Sequence, residues 1–160
     1  MAKKKKEIRL KKNSNEKIPK ISLTTPKEPS YITFNFSFLT NTSKYNLTSN
    51  KPSNEQKNIL LHRLVELSQK NLVELTANTD KKLGLEKISR FNGKDKLNSL
   101  TLHPDFFNSS RYGTAGSGYW IFRLCPNNNP LPTRIIGKLI NDTFYIMYID
   151  WFHELYAKRK

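Results

Sequence analysis

Arg134-Ile135-Ile136-Gly137-Lys138-Leu139-Ile140-Asn141-Asp142-Thr143-Phe144-Tyr145-Ile146-Met147-Tyr148-Ile149 decides the fold: two apolar runs rich in β-branched and aromatic residues are joined by two residues that tolerate positive φ. The pattern predicts a β-hairpin with strands 134–140 and 143–149. A two-residue loop then fixes the register by counting, with Ile140 opposite Thr143, Lys138 opposite Tyr145, Ile136 opposite Met147 and Arg134 opposite Ile149. Side chains alternate between faces, so Arg134 and Lys138 fall on one side of the sheet. Ile135, Leu139, Phe144, Ile146 and Tyr148 fall on the other, which reads as the core.

Upstream, Tyr119-Trp120-Ile121-Phe122-Arg123-Leu124 predicts a further strand, and Asn127-Asn128-Asn129-Pro130 a connection to the hairpin. Trp120, Phe122 and Leu124 belong with the core, which puts Arg123 beside Arg134 and Lys138. Ile32, Phe34, Phe36 and Phe38 alternate with polar residues and predict a first strand over 31–39. Ser53-Asn54-Glu55-Gln56 has the form of a capping box, so a helix should run from there to about Leu67 with Leu60, Leu61, Leu64, Val65 and Leu67 as its core stripe and Arg63 outside. Asn71 and Glu74 open a shorter helix through Leu75 that should fold back antiparallel to the first. Between 80 and 117 the signals are weak: a short strand within 85–91, a turn of helix at 94–100, and a glycine-rich loop from Arg111 to Gly118. The expected fold is α+β, a helical hairpin packed on a small, mainly antiparallel sheet of about four strands, in one domain over residues 31–160.

The chain has 160 residues, and 28 Lys and Arg against 13 Asp and Glu give a formal charge of +15. Such an excess opposes compaction through self-repulsion and suits a polyanionic partner. Residues 1–30 carry ten of the cations, Lys3, Lys4, Lys5 and Lys6 among them, with three Glu and few large apolar side chains. They are expected to form a disordered arm that adds affinity for phosphate backbones without reading sequence. The single cysteine, Cys125, excludes an internal disulfide, and no apolar run approaches the ~20 residues of a membrane span. The expected location is cytoplasmic, with no membrane partner. His62, His103, His153 and Cys125 lack metal-site spacing, and the glycine-rich loop lacks the Gly-Lys-Ser/Thr ending of a phosphate-binding loop, so no metal or cofactor is expected.

The hairpin register carries Arg134 to the sheet end where the last strand stops, a few residues before His153 and Tyr156. Guanidinium groups with an imidazole suit phosphodiester chemistry, the cations holding the phosphate and the imidazole giving a proton to the leaving oxygen. Tyr156 and Glu154 are the candidates for a general base. Each residue has a structural alternative: Arg123 and Arg134 as solvent-facing strand residues, His153 as a cap or a neighbour of Trp151, and Tyr156 as an anchor for the C-terminus.

The element order, with Gly118-Tyr119-Trp120, Arg134-Ile135-Ile136 opening a strand, an apolar last strand and a terminal His153/Tyr156 pair, resembles the RelE/ParE superfamily of toxins, especially its YoeB-like branch. The ending is also similar to that of small uncharacterised phage- and plasmid-borne proteins. The resemblance implies an mRNA endoribonuclease acting at the ribosome under the control of an acidic antitoxin. Arg134 would then bind phosphate, His153 would act as acid/base and Tyr156 would be the terminal tyrosine. Apart from the resemblance, the charge pattern makes Arg123, Lys138, Arg111 and Lys3, Lys4, Lys5 and Lys6 the expected nucleic-acid contacts. The alternative is a noncatalytic nucleic-acid-binding or host-machinery-inhibiting protein of a phage or mobile element.

Overall fold

The computed structural model of the chain describes residues 29–77, 85–88 and 96–156. The hairpin forms where the sequence places it, β4 over Arg134–Ile140 and β5 over Thr143–Asp150. Asn141 takes up positive φ (56°) in the connection. Three short strands complete the sheet, β1 over Thr33–Asn35, β2 over Glu86–Ile88 and β3 over Tyr119–Arg123. The order is β1-β5-β4-β3-β2, antiparallel throughout except that β1 runs parallel to β5. The protein is thus α+β with a mixed sheet of five strands, one more than expected.

Hairpin pairing follows the count from Ile140–Thr143 to Gly137–Ile146 and then slips by one residue. Met147 is the extra residue of a β-bulge, so Ile136 faces Tyr148, Ile135 faces Ile149, and Arg134 faces Asp150 instead of Ile149. The slip moves Tyr148 away from the face of Ile135, onto the face of Ile136.

Both faces of the sheet are covered. One carries Phe122, Ile135, Phe144, Ile146 and Ile149 under helix α1 (Asn54–Ser68) and helix α2 (Leu72–Ala77), which contribute Leu60, Leu64, Leu67 and Leu75. The Ser53 capping box starts α1: the Gln56 amide donates to Ser53 Oγ (3.2 Å) and the Ser53 amide donates to Gln56 Oε1 (3.0 Å). The buried stripe of α1 is Leu60, Arg63, Leu64 and Leu67, whereas Leu61 and Val65, expected in it, are more than half exposed. Positions 60, 64 and 67 share a helical face; 61 and 65 sit about 100° round from it.

The opposite face carries Ile121, Ile136, Tyr145, Met147 and Tyr148. It is covered by Phe38 and Tyr45, by Leu97, by Phe106 of helix α3 (Pro104–Phe107), and by Leu155. The first strand is shorter than the expected 31–39 because the Asn35 side chain accepts the Ser37 amide (2.8 Å) and turns the chain. Phe38 then reaches the second face, 5.1 Å from Phe106 and 5.4 Å from Tyr145 between ring centroids. Within the expected glycine-rich loop, Ser110–Thr114 form a turn of helix, α4. A turn of 3-10 helix at Lys96–Ser99 lies in the expected 94–100 segment. Among the described residues no helix is long and apolar enough to cross a membrane. Residues 1–28 of the basic arm, residues 89–91 of the expected short strand, and residues 94–95 lie outside the described residues.

Candidate functional site

Arg134 opens β4 directly opposite Arg123 of β3 and Asp150 of β5, so the bulge at Met147 sets a carboxylate beside the Arg134 guanidinium. The Arg134 side chain is 2% exposed. Its Nε–H donates to the Tyr156 hydroxyl (3.1 Å), Nη1 donates to the carbonyls of Pro132 (2.7 Å) and Thr133 (3.1 Å), and Nη2 donates to Asn128 Oδ1 (2.5 Å). A guanidinium carries five N–H donors, so these bonds leave one. Asp150 is buried, and its carboxylate accepts the amides of Glu154 and Leu155, both at 2.8 Å, which folds the chain sharply after β5. Burial pushes the Asp150 carboxyl up, opposed by those amides and by the charge of Arg134.

The turn places His153 at positive φ (56°) with its ring 4.7 Å from that of Tyr156, and Tyr156 bonds Arg134. Arg134, Tyr156 and His153 are therefore contiguous, as the sequence spacing proposes. Arg123 sits beside them, with its Nε buried and making no hydrogen bond among the described residues. Neither candidate base is set up for that role at neutral pH. Burial pushes the Tyr156 phenol up to about 12, and Glu154 is paired with Lys44, whose hydrogen bond holds the carboxyl below its usual range.

Lys138 and Arg111 belong to a different place. Lys138 lies four residues along β4 from Arg134, about 13 Å at a strand's rise. It is 7% exposed, and its ammonium donates to the carbonyls of Gly116 (3.1 Å) and Gly118 while lying 4.5 Å over the Tyr119 ring. Burial, with Lys87 nearby, lowers its pKa. Arg111 of α4 donates from Nε to the Tyr145 hydroxyl (2.9 Å), and Tyr145 faces Lys138 across the hairpin. The expected single cluster of cations is thus two. Lys3, Lys4, Lys5 and Lys6 lie outside the described residues. Sequence reading missed Asn128 and Asp150 as partners of Arg134: the bulge sets Asp150 opposite Arg134, and Asn128 reaches it from the connection before β4.

Burial pushes up the Tyr156 phenol, as it does those of Tyr119 and Tyr148, so the folded protein should lose stability at alkaline pH. A phenol whose folded pKa lies above its ordinary 10.0 holds its proton more tightly when folded, so its contribution is full below about 10 and falls as pH rises to about 12. A loss of roughly 3 kcal/mol across that window is the upper bound for a two-unit shift. Denaturant midpoints measured through it should fall, and Tyr156→Phe should flatten the fall; an unchanged pH profile in that variant would show that the phenol is not responsible.

Among the described residues no group of three or more His, Cys, Asp or Glu is placed to hold a metal ion. Comparison with protein-family models, with curated proteins and with solved structures found no match.

Proposed function

We propose that the protein binds nucleic acid and acts by occupying it, with the Arg134 cluster serving the fold. The observation that carries this reading is where the charge lies. The described residues hold eleven Lys and Arg against eight Asp and Glu, while residues 1–28 hold ten against three and residues 157–160 hold three against none. Ten of the fifteen excess positive charges therefore lie in residues 1–28 and 157–160. Cations so clustered along the sequence suit a phosphate backbone, which gains affinity from counterion release and needs no enclosed site. The engagement of four Arg134 donors by the protein supports the same reading, because a phosphate there would have to displace them.

Affinity for a labelled single strand should fall steeply with salt, the logarithmic slope losing about 0.7 for each phosphate contact removed. Replacing Lys3, Lys4, Lys5 and Lys6 with serine should weaken binding and flatten that slope. Salt-independent affinity, or four substitutions without effect, would remove the proposal.

A second reading, an endoribonuclease of the RelE kind, is favoured by the contiguity of His153, Tyr156 and Arg134. Its cleanest test is His153→Asn, because asparagine tolerates the positive φ that alanine would strain and cannot act as an acid. If His153 is the acid, that variant should lose growth arrest and cleavage while keeping its stability; equal toxicity in both proteins excludes the role.

A further inference from the structure

The face of the sheet away from α1 bears a mainly apolar cavity of about 560 Å³, lined by three leucines and a proline together with the rings of Phe107, Tyr112 and Tyr119 and the polar Asn98, Thr101 and Asn108. Its size is that of a small-molecule site, which spans roughly 300–1,000 Å³. Phe107 and Tyr112, on the short helices α3 and α4, are 58% and 46% exposed, with ring centroids 4.9 Å apart and planes tilted by 53°. Tyr112 is held from behind by the edge of the buried Phe106 ring, centroid to centroid 6.1 Å. Large aromatic faces kept open to water and braced by the core are costly unless something covers them.

We propose that this groove takes an unpaired nucleobase, stacked on Phe107 and Tyr112, with the Asn108 amide at its polar edge. The inference rests on the nucleic-acid reading above and gives it a place on the fold. Charge complementarity selects this occupant. No lining residue is charged, which suits a base, and two cations adjoin the lining residues in the chain. The exposed Lys96 and Arg111 neighbour the lining residues Leu97 and Tyr112 in the chain, against one exposed acid, Asp105, beside Pro104. Aromatic rings beside cations are the general means of holding single strands with little sequence preference, because every base has a π-face.

The test compares base-bearing RNA and DNA strands of about 12 nucleotides with an abasic strand of equal length and charge, at roughly 150 mM salt. In the full-length chain, Phe107→Ala with Tyr112→Ala should weaken binding of base-bearing strands about 10-fold or more while leaving the abasic strand and the salt slope unchanged. Phe107→Tyr with Tyr112→Phe keeps both rings and should keep the affinity, which separates lost stacking from lost folding. Weakening confined to RNA or to DNA supports the groove and identifies the sugar it accepts. Equal affinity of the wild type for base-bearing and abasic strands, or no loss in the alanine variant, overturns the groove and leaves the electrostatic reading standing. A wild-type chain that binds none of the strands overturns both.

Discussion

Arg134→Met should destabilise the folded protein by about 3 kcal/mol or more, although a single-residue change at an exposed ligand-binding arginine costs almost nothing. Methionine keeps an unbranched apolar stem, ends two atoms short of the terminal guanidinium nitrogens, and removes four hydrogen bonds at once, leaving Asn128, the carbonyls of Pro132 and Thr133, and the Tyr156 hydroxyl to find other partners. It also removes the positive charge facing the buried Asp150, whose carboxylate holds the turn at Glu154 and Leu155. A buried charge that loses its counterpart costs more than the pair contributes. Arg134→Lys should recover little, since an ammonium cannot reproduce the planar fork. Urea denaturation reads the change directly, and pairing Arg134→Met with Asp150→Asn should cost less than the two changes separately. A loss below about 1 kcal/mol would mean that the guanidinium is dispensable to the fold and free for a ligand.

Gly137→Ala should be about as damaging, for a steric reason. A Cβ at position 137 would be driven into the carbonyl oxygen of Tyr145 on the paired strand and would lie 2.7 Å from Cε1 of Phe144. The carbonyl is backbone, so relief requires shifting β4 against β5 beside the bulge, where Arg134 and Asp150 depend on the register. A cost of about 3 kcal/mol, the upper end for overpacking, should appear as a lower melting temperature and a changed tyrosine environment. An alanine variant with wild-type stability would show that the hairpin relaxes freely there.

The hairpin was legible in the sequence because turn chemistry and alternation agree at Asn141-Asp142, and its register holds through Gly137–Ile146. The bulge was not legible. Tyr145, Ile146, Met147, Tyr148 and Ile149 are all buried, so a one-residue slip exposes nothing and leaves no polar residue out of phase. The same absence of contrast explains Arg134 and Lys138. Taken as a sheet with one solvated face, the pattern puts both cations in the open, but the second face lies under the segment that contains residues 96–115, where periodicity is weakest. Spacing alone did bring His153 and Tyr156 to Arg134, since chain connectivity puts the end of β5 beside the start of β4 whatever the slip. Phe107 and Tyr112 left only a faint signal: large rings near Pro104, Asn108 and Gly113, in a stretch too polar to be core.

The central claim, that this protein occupies nucleic acid without cutting it, is tested most directly by adding the full chain to labelled mRNA in a translating extract and following both mobility and length. Retarded RNA of full length, equally for the wild type and His153→Asn, is the expected result. RNA shortened by the wild type and left whole by His153→Asn would contradict it and assign the Arg134, Tyr156 and His153 cluster to catalysis.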